Sequence, residues 1–170
     1  MERYKMLDNI RAHSIIVEKV ARTIADGLMG TGTSISLKKV TAGALMHDIG
    51  KTLCLNSNED HAAKGREICI ENHLGEIAEI VGQHIRLKDN TITDDGIDER
   101  EIVYYADKRV NHDRVVSLEE RVEYLINRYG RKKEQFCQLI RENFVIYKRV
   151  EGKIFAHLNF RPEDLEEMIG

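Results

Sequence analysis

Four of the seven histidines in this 170-residue chain fall where a helix would bury them or where the chain turns: His13, His47, His61 and His84. Two carboxylates accompany them, Asp48 and Asp107. Neutral imidazole together with carboxylate suits borderline divalent metals such as iron, manganese or zinc, whereas an all-oxygen set would favour magnesium or calcium. The mixture therefore predicts a transition-metal site.

The adjacent pair His47-Asp48 is the most informative part of this set. Neighbouring residues on a helix point about 100° apart, so both can reach one ion only near a helix end where the chain turns. Gly50 supplies that turn two residues later. A single histidine on a helix is usually an ordinary packed or surface residue, so the prediction depends on the order of all six residues.

Residues 47–51 read His-Asp-Ile-Gly-Lys, and the six residues follow the order His, His-Asp, His, His, Asp along the chain. This pattern resembles the HD-domain superfamily of metal-dependent phosphohydrolases, and specifically its subgroup with the H-D-I-G-K motif. Similar surroundings include Arg-Ala-His-Ser at 11–14, Ile-Val-Gly-Gln-His at 80–84 and Tyr-Ala-Asp-Lys at 105–108. The resemblance covers roughly residues 7 to 115.

The resemblance implies two metal sites, the first formed by His13, His47, Asp48 and Asp107 and the second by His61 and His84. Asp48 would bridge the two ions and orient the hydroxide that attacks the substrate. Two ions about 3.5–4 Å apart can clamp both the attacking and the leaving oxygen of a phosphoryl group. Iron or manganese is the expected pair, with zinc or nickel acquired in some preparations.

Three basic residues are candidates for contact with a substrate phosphate. Lys51 follows the Gly50 turn and is expected to point toward the metal ions, where it could also protonate the leaving oxygen. Its alternative is a solvated lysine that interacts with the helix dipole. Lys108 and Arg109 come directly after Asp107, and arginine offers phosphate a planar two-donor fork. Their alternative is a solvated helix face paired with nearby carboxylates.

Apolar residues recur at three- and four-residue steps through most of the chain, which predicts helices with one buried face. The first runs from Leu7 to Leu28 with His13 on its buried face, and the second is capped by Ser34 or Ser36 and ends at Gly50. Further helices are predicted from caps at Asp60 and Ser117 and from apolar spacing over 77–84, 102–110 and 132–157, the last weakened near Gly152. Residues 88–98 form a charged loop and the best candidate for a mobile flap, and Pro162 begins a short terminal helix.

These elements predict an all-α fold, a single-domain helical bundle of the HD-domain type with additional C-terminal helices. Residues 1–115 would form the metal-binding catalytic core, and 116–170 would complete the same domain. The helices from Leu118 onward carry no chemical motif, so their apolar stripes either complete the core or form a homodimer. The remaining histidines, His73, His112 and His157, are expected to be structural or surface residues.

Composition excludes several classes of protein. The chain has 26 Lys and Arg against 29 Asp and Glu, a net charge of −3 that offers no field for an extended nucleic acid or an anionic membrane. No long apolar run and no leader at Met1 is present, so neither a membrane span nor a secretory signal is expected, and the predicted location is the cytoplasm. The three widely spaced cysteines are expected to be buried free thiols.

Three functions remain open on the sequence. The prediction is a phosphomonoesterase or phosphodiesterase that attacks a small nucleotide or related phosphate through a metal-bound hydroxide, with symmetrical dinucleoside tetraphosphates as the alternative substrate class. A di-iron oxygenase would use the same ligands, and Lys51 favours hydrolysis because a cation beside the metal ions serves a phosphate. A non-catalytic regulatory metal module fits the complete ligand set less well. The Gly-Tyr-Pro signature of cyclic-dinucleotide phosphodiesterases does not follow His84, so that activity is not expected.

Overall fold

The computed structural model describes residues 1–57, 59–88, 96–129 and 134–170. These residues form eight helices: α1 (Asp8–Gly30), α2 (Leu37–Met46), α3 (His61–Glu71), α4 (Gly75–Gln83), α5 (Glu99–Lys108), α6 (Leu118–Tyr129), α7 (Glu134–Phe155) and α8 (Leu165–Ile169). A two-stranded antiparallel hairpin, β1 (Val110–Asn111) and β2 (Arg114–Val115), lies between α5 and α6. Short 3-10 helices occupy Glu2–Tyr4 and Pro162–Asp164. The predicted all-α fold class is confirmed.

Helix α1 is the long central helix, and it packs against α2 and α5. Its buried face carries Ile10, Val17, Val20, Ala21, Ile24 and Leu28, the period predicted from the sequence. Full burial of one such branched side chain stabilises the fold by about 1.5–3 kcal/mol. His13 lies on the same face and is therefore carried into the interior by the apolar residues around it.

Helix α2 begins where the sequence predicts but ends earlier. The Ser36 hydroxyl accepts a hydrogen bond from the Lys39 amide at 3.4 Å, so Ser36 is the cap. The helix ends at Met46 rather than at Gly50. From there the chain winds in tighter turns, since the Lys51 amide donates to the Asp48 carbonyl only three residues back. The apolar spacing does not distinguish these turns from a regular helix.

The predicted caps of two later helices are confirmed. The Asp60 carboxylate accepts from the Ala62 amide at 2.8 Å at the start of α3. Ser117 and Glu120 form the reciprocal pair of a capping box before α6. Helix α7 continues through Gly152 without the predicted weakening. Most of the predicted flap, at 89–95, lies outside the described residues.

Buried polar contacts join the C-terminal helices to the rest of the bundle. The Tyr105 hydroxyl in α5 donates to the Glu151 carboxylate in α7 at 2.7 Å, and Lys153 binds Glu101 at 2.8 Å. These contacts join residues on either side of the predicted boundary at residue 115. The division into a catalytic core and a C-terminal part stays a prediction. Within the described ranges, no helix is long and apolar enough to span a bilayer. Cys54 and Cys69 are buried free thiols, while Cys137 is only half-buried.

Candidate metal centre

The structure brings together the six residues that the sequence singles out as ligands, and five separate segments supply them. His13 comes from α1, His47 and Asp48 directly follow α2, His61 begins α3, His84 directly follows α4, and Asp107 lies in α5. Four of the six stand at a helix end, where neighbouring side chains can turn toward a common point. The structure therefore places the His47-Asp48 pair at a helix end, as the sequence predicts.

Asp48 lies between His47 on one side and His61 and His84 on the other. Its Oδ2 atom is 3.5 Å from Nε2 of His47, while its Oδ1 atom is 3.2 Å from Nε2 of His61 and 3.5 Å from Nε2 of His84. The carboxylate is 1% exposed, so water cannot replace these neighbours. A carboxylate that presents one oxygen to His47 and the other to His61 and His84 has the arrangement needed to bridge two ions.

Asp107 occupies the other side of His47. Its Oδ1 atom is 3.0 Å from Nε2 of His13 and 3.7 Å from Nε2 of His47. Two groups of three could each hold a metal ion, with ligand atoms within 4.8 Å of one another: His13, His47 and Asp107, and His47, Asp48 and His84. His47 thus belongs to both groups, whereas the resemblance places it in the first alone. His61 reaches Asp48 but belongs to neither group.

Backbone hydrogen bonds orient three of the imidazoles. The Nδ1 atom of each donates to a carbonyl oxygen: His13 to His112 at 2.8 Å, His47 to Ala44 at 2.7 Å, and His84 to Val81 at 2.6 Å. A carbonyl oxygen only accepts, so Nδ1 of each ring carries a proton, and Nε2 is the atom that faces the interior and is left for a metal ion. Metal-ligating histidines characteristically donate their second nitrogen in this way.

The buried Nε2 atom of His47 tests whether these residues fit a metal ion. It has no hydrogen-bond partner within the described part of the chain. A buried polar atom without a partner destabilises a fold by about 1–3 kcal/mol. Burial lowers the pKa of His47 to about 4, although Asp48 and Asp107 oppose that shift, so the ring is neutral at pH 7. A neutral lone pair facing two carboxylates at 3.5 and 3.7 Å is an arrangement that a divalent cation stabilises.

The two carboxyl groups are ionised in the interior. Burial alone would raise the pKa of Asp48, but His47 and the other histidines around it, together with Lys51, hold that pKa well below its usual value. For Asp107, the Lys108 ammonium and the neighbouring histidines likewise outweigh burial and hold the pKa well below its usual value. Two buried anions beside imidazole nitrogens supply the charge that a divalent ion requires.

Lys51 points toward the centre, as the sequence predicts. Its Nζ atom is 2.7 Å from Oδ2 of Asp48, and its side chain is 42% exposed. The ammonium therefore lies at the border between the buried ligands and solvent, where an incoming substrate would meet it.

Lys108 does not have the position predicted for a phosphate contact. It is 6% exposed, and its ammonium binds Oδ2 of Asp107 at 2.6 Å and the His84 carbonyl at 2.9 Å. The same ammonium lies 5.0 Å from the ring centroid of Tyr104. Lys108 thus links a ligand on α5 to the backbone of a ligand after α4, and it acts on the centre through them.

Arg109 is also unsuited to the phosphate role that the sequence suggests. It is 4% exposed, and each of its three nitrogens donates to the protein: Nε to the Val116 carbonyl at 2.7 Å, NH1 to the Tyr105 hydroxyl at 2.6 Å and NH2 to the Pro162 carbonyl at 2.9 Å. Three of the five guanidinium N–H groups are thus used within the protein, and the burial of the side chain leaves it inaccessible to a ligand. Arg109 instead connects α5 to the C-terminal segments.

The β1–β2 hairpin is the functional feature that sequence reasoning misses. Its turn places His112 at φ 57°, and the His112 carbonyl is the acceptor that orients His13. The run Asn111-His112-Asp113 is rich in residues that tolerate turns and is the signal that could have indicated it. The acceptor is a backbone carbonyl, so the pattern of ligand side chains in the sequence does not reveal this hydrogen bond.

A cleft of about 170 Å³ opens onto the centre. His13, Asp48 and Lys51 are among the residues that line it. Asn111 and residues of α6, including Arg121 and Tyr124, line the same cleft. The candidate centre is therefore accessible through this cleft, and part of the lining comes from residues that the sequence motif does not include.

Comparison with known proteins adds one curated relative and one family. The relative is named tRNA (cytidine(56)-2'-O)-methyltransferase and comes from Picrophilus torridus; it is 33% identical over 138 residues, which cover 74% of this chain. The chain spans 37% of that protein's length, so the match concerns part of it. No solved structure matches the chain.

The family match covers most of the chain. The model of the HD domain matches residues 10–129, a span that contains all six candidate ligands and α6. It identifies the family as a whole, and the H-D-I-G-K subgroup stays a prediction. The chain therefore belongs to the HD domain family, whose members are in general metal-dependent phosphohydrolases.

Proposed function

We propose that this chain is a phosphohydrolase that cleaves a phosphate ester or anhydride of a small nucleotide or related compound with the help of two divalent metal ions. The observation that carries the proposal is the convergence of three oriented imidazole Nε2 atoms and two buried carboxylates beside an accessible lysine. When bound, the ions would lower the pKa of a water molecule to about 7 and polarise the phosphoryl oxygens.

The six candidate ligands would be distributed between the two ions. His13, His47 and Asp107 would hold one ion, His61 and His84 would hold the other, and Asp48 would lie between them. Iron or manganese suits this mixed nitrogen and oxygen set. The packing that fixes His47 and His84, which are 0% and 2% exposed, keeps the ligands in place before the substrate arrives.

Lys51 would bind the phosphate at the open side of the centre. Its ammonium already pairs with Asp48, and a metal ion on that carboxylate would compete for the same Oδ2 atom. Rotation of the exposed side chain would then turn the ammonium toward a substrate phosphate in the cleft. This cation favours hydrolysis over a di-iron oxygenase with the same ligands, because activation of dioxygen has no evident need for it.

Replacement of Lys51 with methionine is expected to reduce hydrolysis by about 10²–10⁴-fold if the ammonium protonates the leaving oxygen, and to leave the metal content unchanged. The defect should then be smaller for esters with good leaving groups, because these need little proton donation. Steady-state kinetics with a leaving-group series and metal analysis measure both effects. An equal defect across the series would make Lys51 a phosphate anchor, and no defect would contradict its role in hydrolysis.

The experiment that tests the proposal starts from protein purified without a chelating tag. Its bound metals are measured, and phosphate release is assayed with Mn²⁺ or Fe²⁺ on nucleoside mono-, di- and triphosphates, dinucleoside polyphosphates and cyclic nucleotides. We expect metal-dependent release from at least one class. Metal-loaded protein that releases phosphate from none of them but consumes dioxygen would support the oxygenase instead. Methyl transfer to tRNA is a separate assay, because the relative with that name matches over only part of its length.

The proposed second ion depends on His61 and His84. Replacement of both with alanine is expected to lower the metal content of the protein from about two ions to about one and to leave the fold intact. His84 is buried against α4, so a His61→Ala variant, whose side chain is 27% exposed in the parent, tests the same site with less risk to folding. Wild-type protein that never holds more than one ion, even when prepared anaerobically with excess iron or manganese, would contradict the dinuclear mechanism.

A further inference from the structure

Four of the residues that line the cleft come from α6, and we call this part of the lining the α6 wall. These residues are Arg121, Tyr124, Leu125 and Arg128, and Arg121 lies three and four residues before Tyr124 and Leu125, which in turn precede Arg128 by four and three. Such spacing places them side by side on one face of the helix. None of these residues belongs to the ligand set, and the proposed hydrolysis does not yet use them.

The charges along the cleft are unequal. Three of its lining residues carry a positive charge: Lys51 beside Asp48, and Arg121 and Arg128 on the α6 wall. The carboxylate that also lines it belongs to Asp48, whose oxygens face the candidate ligands. When ions neutralise that carboxylate, the cleft presents an excess of positive charge to solvent, and such an excess concentrates anions.

Arg121 is held in place by neutral partners. Its NH1 group donates to Oδ1 of Asn111 at 3.0 Å, and its guanidinium carbon lies 5.9 Å from the Tyr124 ring centroid. Its Nε atom is buried and has no hydrogen-bond partner in the described part of the chain. No ion pair found among the described residues includes Arg121, whereas Arg66 is paired with Glu79. The charge of Arg121 is therefore not offset by a carboxylate at contact distance.

Tyr124 fixes the second arginine of the wall. The Arg128 guanidinium donates to the Tyr124 hydroxyl and lies 5.8 Å from the ring centroid. The ring of His112 packs edge-on against the same tyrosine, with 5.3 Å between centroids. One aromatic side chain thus orders both guanidinium groups, and the hairpin that positions His13 supports that side chain. Ordered arginines lose less conformational entropy when they bind a ligand.

The size of the cleft limits what these arginines can bind. Sites that enclose a drug-sized ligand measure about 300–1,000 Å³. The cleft here measures about 170 Å³, which suits phosphoryl groups better than a whole nucleoside. The remainder of a nucleotide would then lie outside the cleft.

We infer that the α6 wall, formed by Arg121 and Arg128 around Tyr124, binds a second phosphoryl group of the substrate. The inference rests on the proposed hydrolase function and narrows its substrate to compounds with two or more linked phosphoryl groups. One phosphoryl group lies at the metal centre near Lys51, and the next lies against the arginines. Bidentate contact of a guanidinium with phosphate oxygens provides both affinity and orientation. A nucleoside monophosphate lacks the group that this wall recognises.

The test measures the binding of inorganic pyrophosphate and of orthophosphate to the full chain supplied with Mn²⁺, by calorimetry. We expect pyrophosphate to bind at least about tenfold more tightly than orthophosphate. Arg121→Gln and Arg128→Gln should each weaken pyrophosphate binding by about tenfold or more and orthophosphate binding by less than about threefold, because a hydrogen bond to a charged group is lost from the second position only. The matched control is Arg141→Gln, the same change of charge at an exposed position of α7, which should alter neither.

The possible results distinguish a failure of this inference from a failure of the proposed hydrolase function. Because binding needs no turnover, a chain that hydrolyses nothing but shows the expected pattern keeps the anion site and loses the hydrolase function. A chain that hydrolyses phosphate compounds while both variants bind pyrophosphate like the wild type would overturn the inference alone. Equal losses for both anions would overturn it too, as would tighter binding of a tRNA than of pyrophosphate. Arg128 is exposed, so Arg128→Gln covers the case in which Arg121→Gln does not fold.

Discussion

Replacement of Asp48 with alanine is expected to abolish hydrolysis and to remove bound metal, with a larger loss than that of any other single side chain. The loss should exceed the about 10–100-fold that removal of an outer-sphere partner of a metal ligand costs. The reason is the position of the carboxylate, which presents Oδ2 to His47 and Oδ1 to His61 and His84. Its removal takes a ligand from both proposed ions and leaves two cations less screened from each other.

Metal content and turnover of Asp48→Ala are compared with those of Asp48→Asn and Asp26→Ala. The asparagine variant keeps the volume of the side chain and removes its charge, so it should be almost as inactive, because an amide presents one oxygen rather than two. Asp26 lies on the exposed side of α1, where its ion pair with Arg22 spans 3.7 Å. A surface pair of this kind contributes about 0–1 kcal/mol, so Asp26→Ala should leave stability and activity nearly unchanged. Wild-type metal content and turnover in Asp48→Ala would remove this residue from the site.

The ligand positions were accessible to sequence reasoning because their chemistry depends on side-chain type. A histidine or an aspartate is visible in the sequence, and the order of six such residues is specific. The acceptors that orient the histidines are different, since any residue has a backbone carbonyl. Nothing in the identities of Ala44, Val81 and His112 indicates that their carbonyl oxygens fix the three imidazoles.

The phosphate role suggested for Arg109 illustrates a second limit. Arg109 follows Asp107 by two positions, and the sequence interpretation places both at one site for that reason. On a helix, residues two apart point about 200° away from each other. Arg109 accordingly points to Tyr105, Val116 and Pro162 rather than to the cleft. Besides Lys51, the cationic residues that line the cleft are Arg121 and Arg128. They come from the next helix, and only the fold shows that they lie beside the centre.

The end of α2 depends on a contact that is distant in sequence. The spacing of apolar residues continues to Gly50, but the regular helix stops at Met46 and tighter turns follow. Those turns carry the chain past the start of α3, where Gly50 approaches the backbone of His61. Local periodicity contains no information about this neighbour. The motif His-Asp-Ile-Gly-Lys therefore includes a glycine for reasons of space that only the packing reveals.

Replacement of Gly50 with alanine is expected to destabilise the protein strongly and to disturb the proposed second metal site. The φ angle of Gly50 is not in the left-handed region, so an alanine would not strain the backbone there. A Cβ atom at this position would, however, lie 2.4 Å from the His61 carbonyl oxygen and 2.8 Å from the Gly65 amide nitrogen. Both are backbone atoms of α3, so no side-chain rotation relieves the clash, and α3 must move.

Overpacking of this kind typically costs about 1–3 kcal/mol and sometimes more, and the rigid backbone neighbours favour the upper end for Gly50→Ala. Urea denaturation with a linear extrapolation measures the change in the free energy of unfolding. Gly152→Ala is the matched control, because a Cβ atom there meets nothing within 4 Å and the residue lies inside α7. That control should stabilise the protein by about 0.5–1 kcal/mol, since alanine is the better helix former.

The movement of α3 should also affect metal binding. His61 is the first residue of that helix, and its carbonyl is the nearest neighbour of the added methyl group. Folded Gly50→Ala protein should therefore lose affinity for the second metal ion before the first, because His13 and Asp107 lie on other helices. Titration of metal-free Gly50→Ala with Mn²⁺ measures the two affinities. Unchanged stability together with unchanged binding of both ions would mean that α3 accommodates the methyl group and that the glycine of the motif has another purpose.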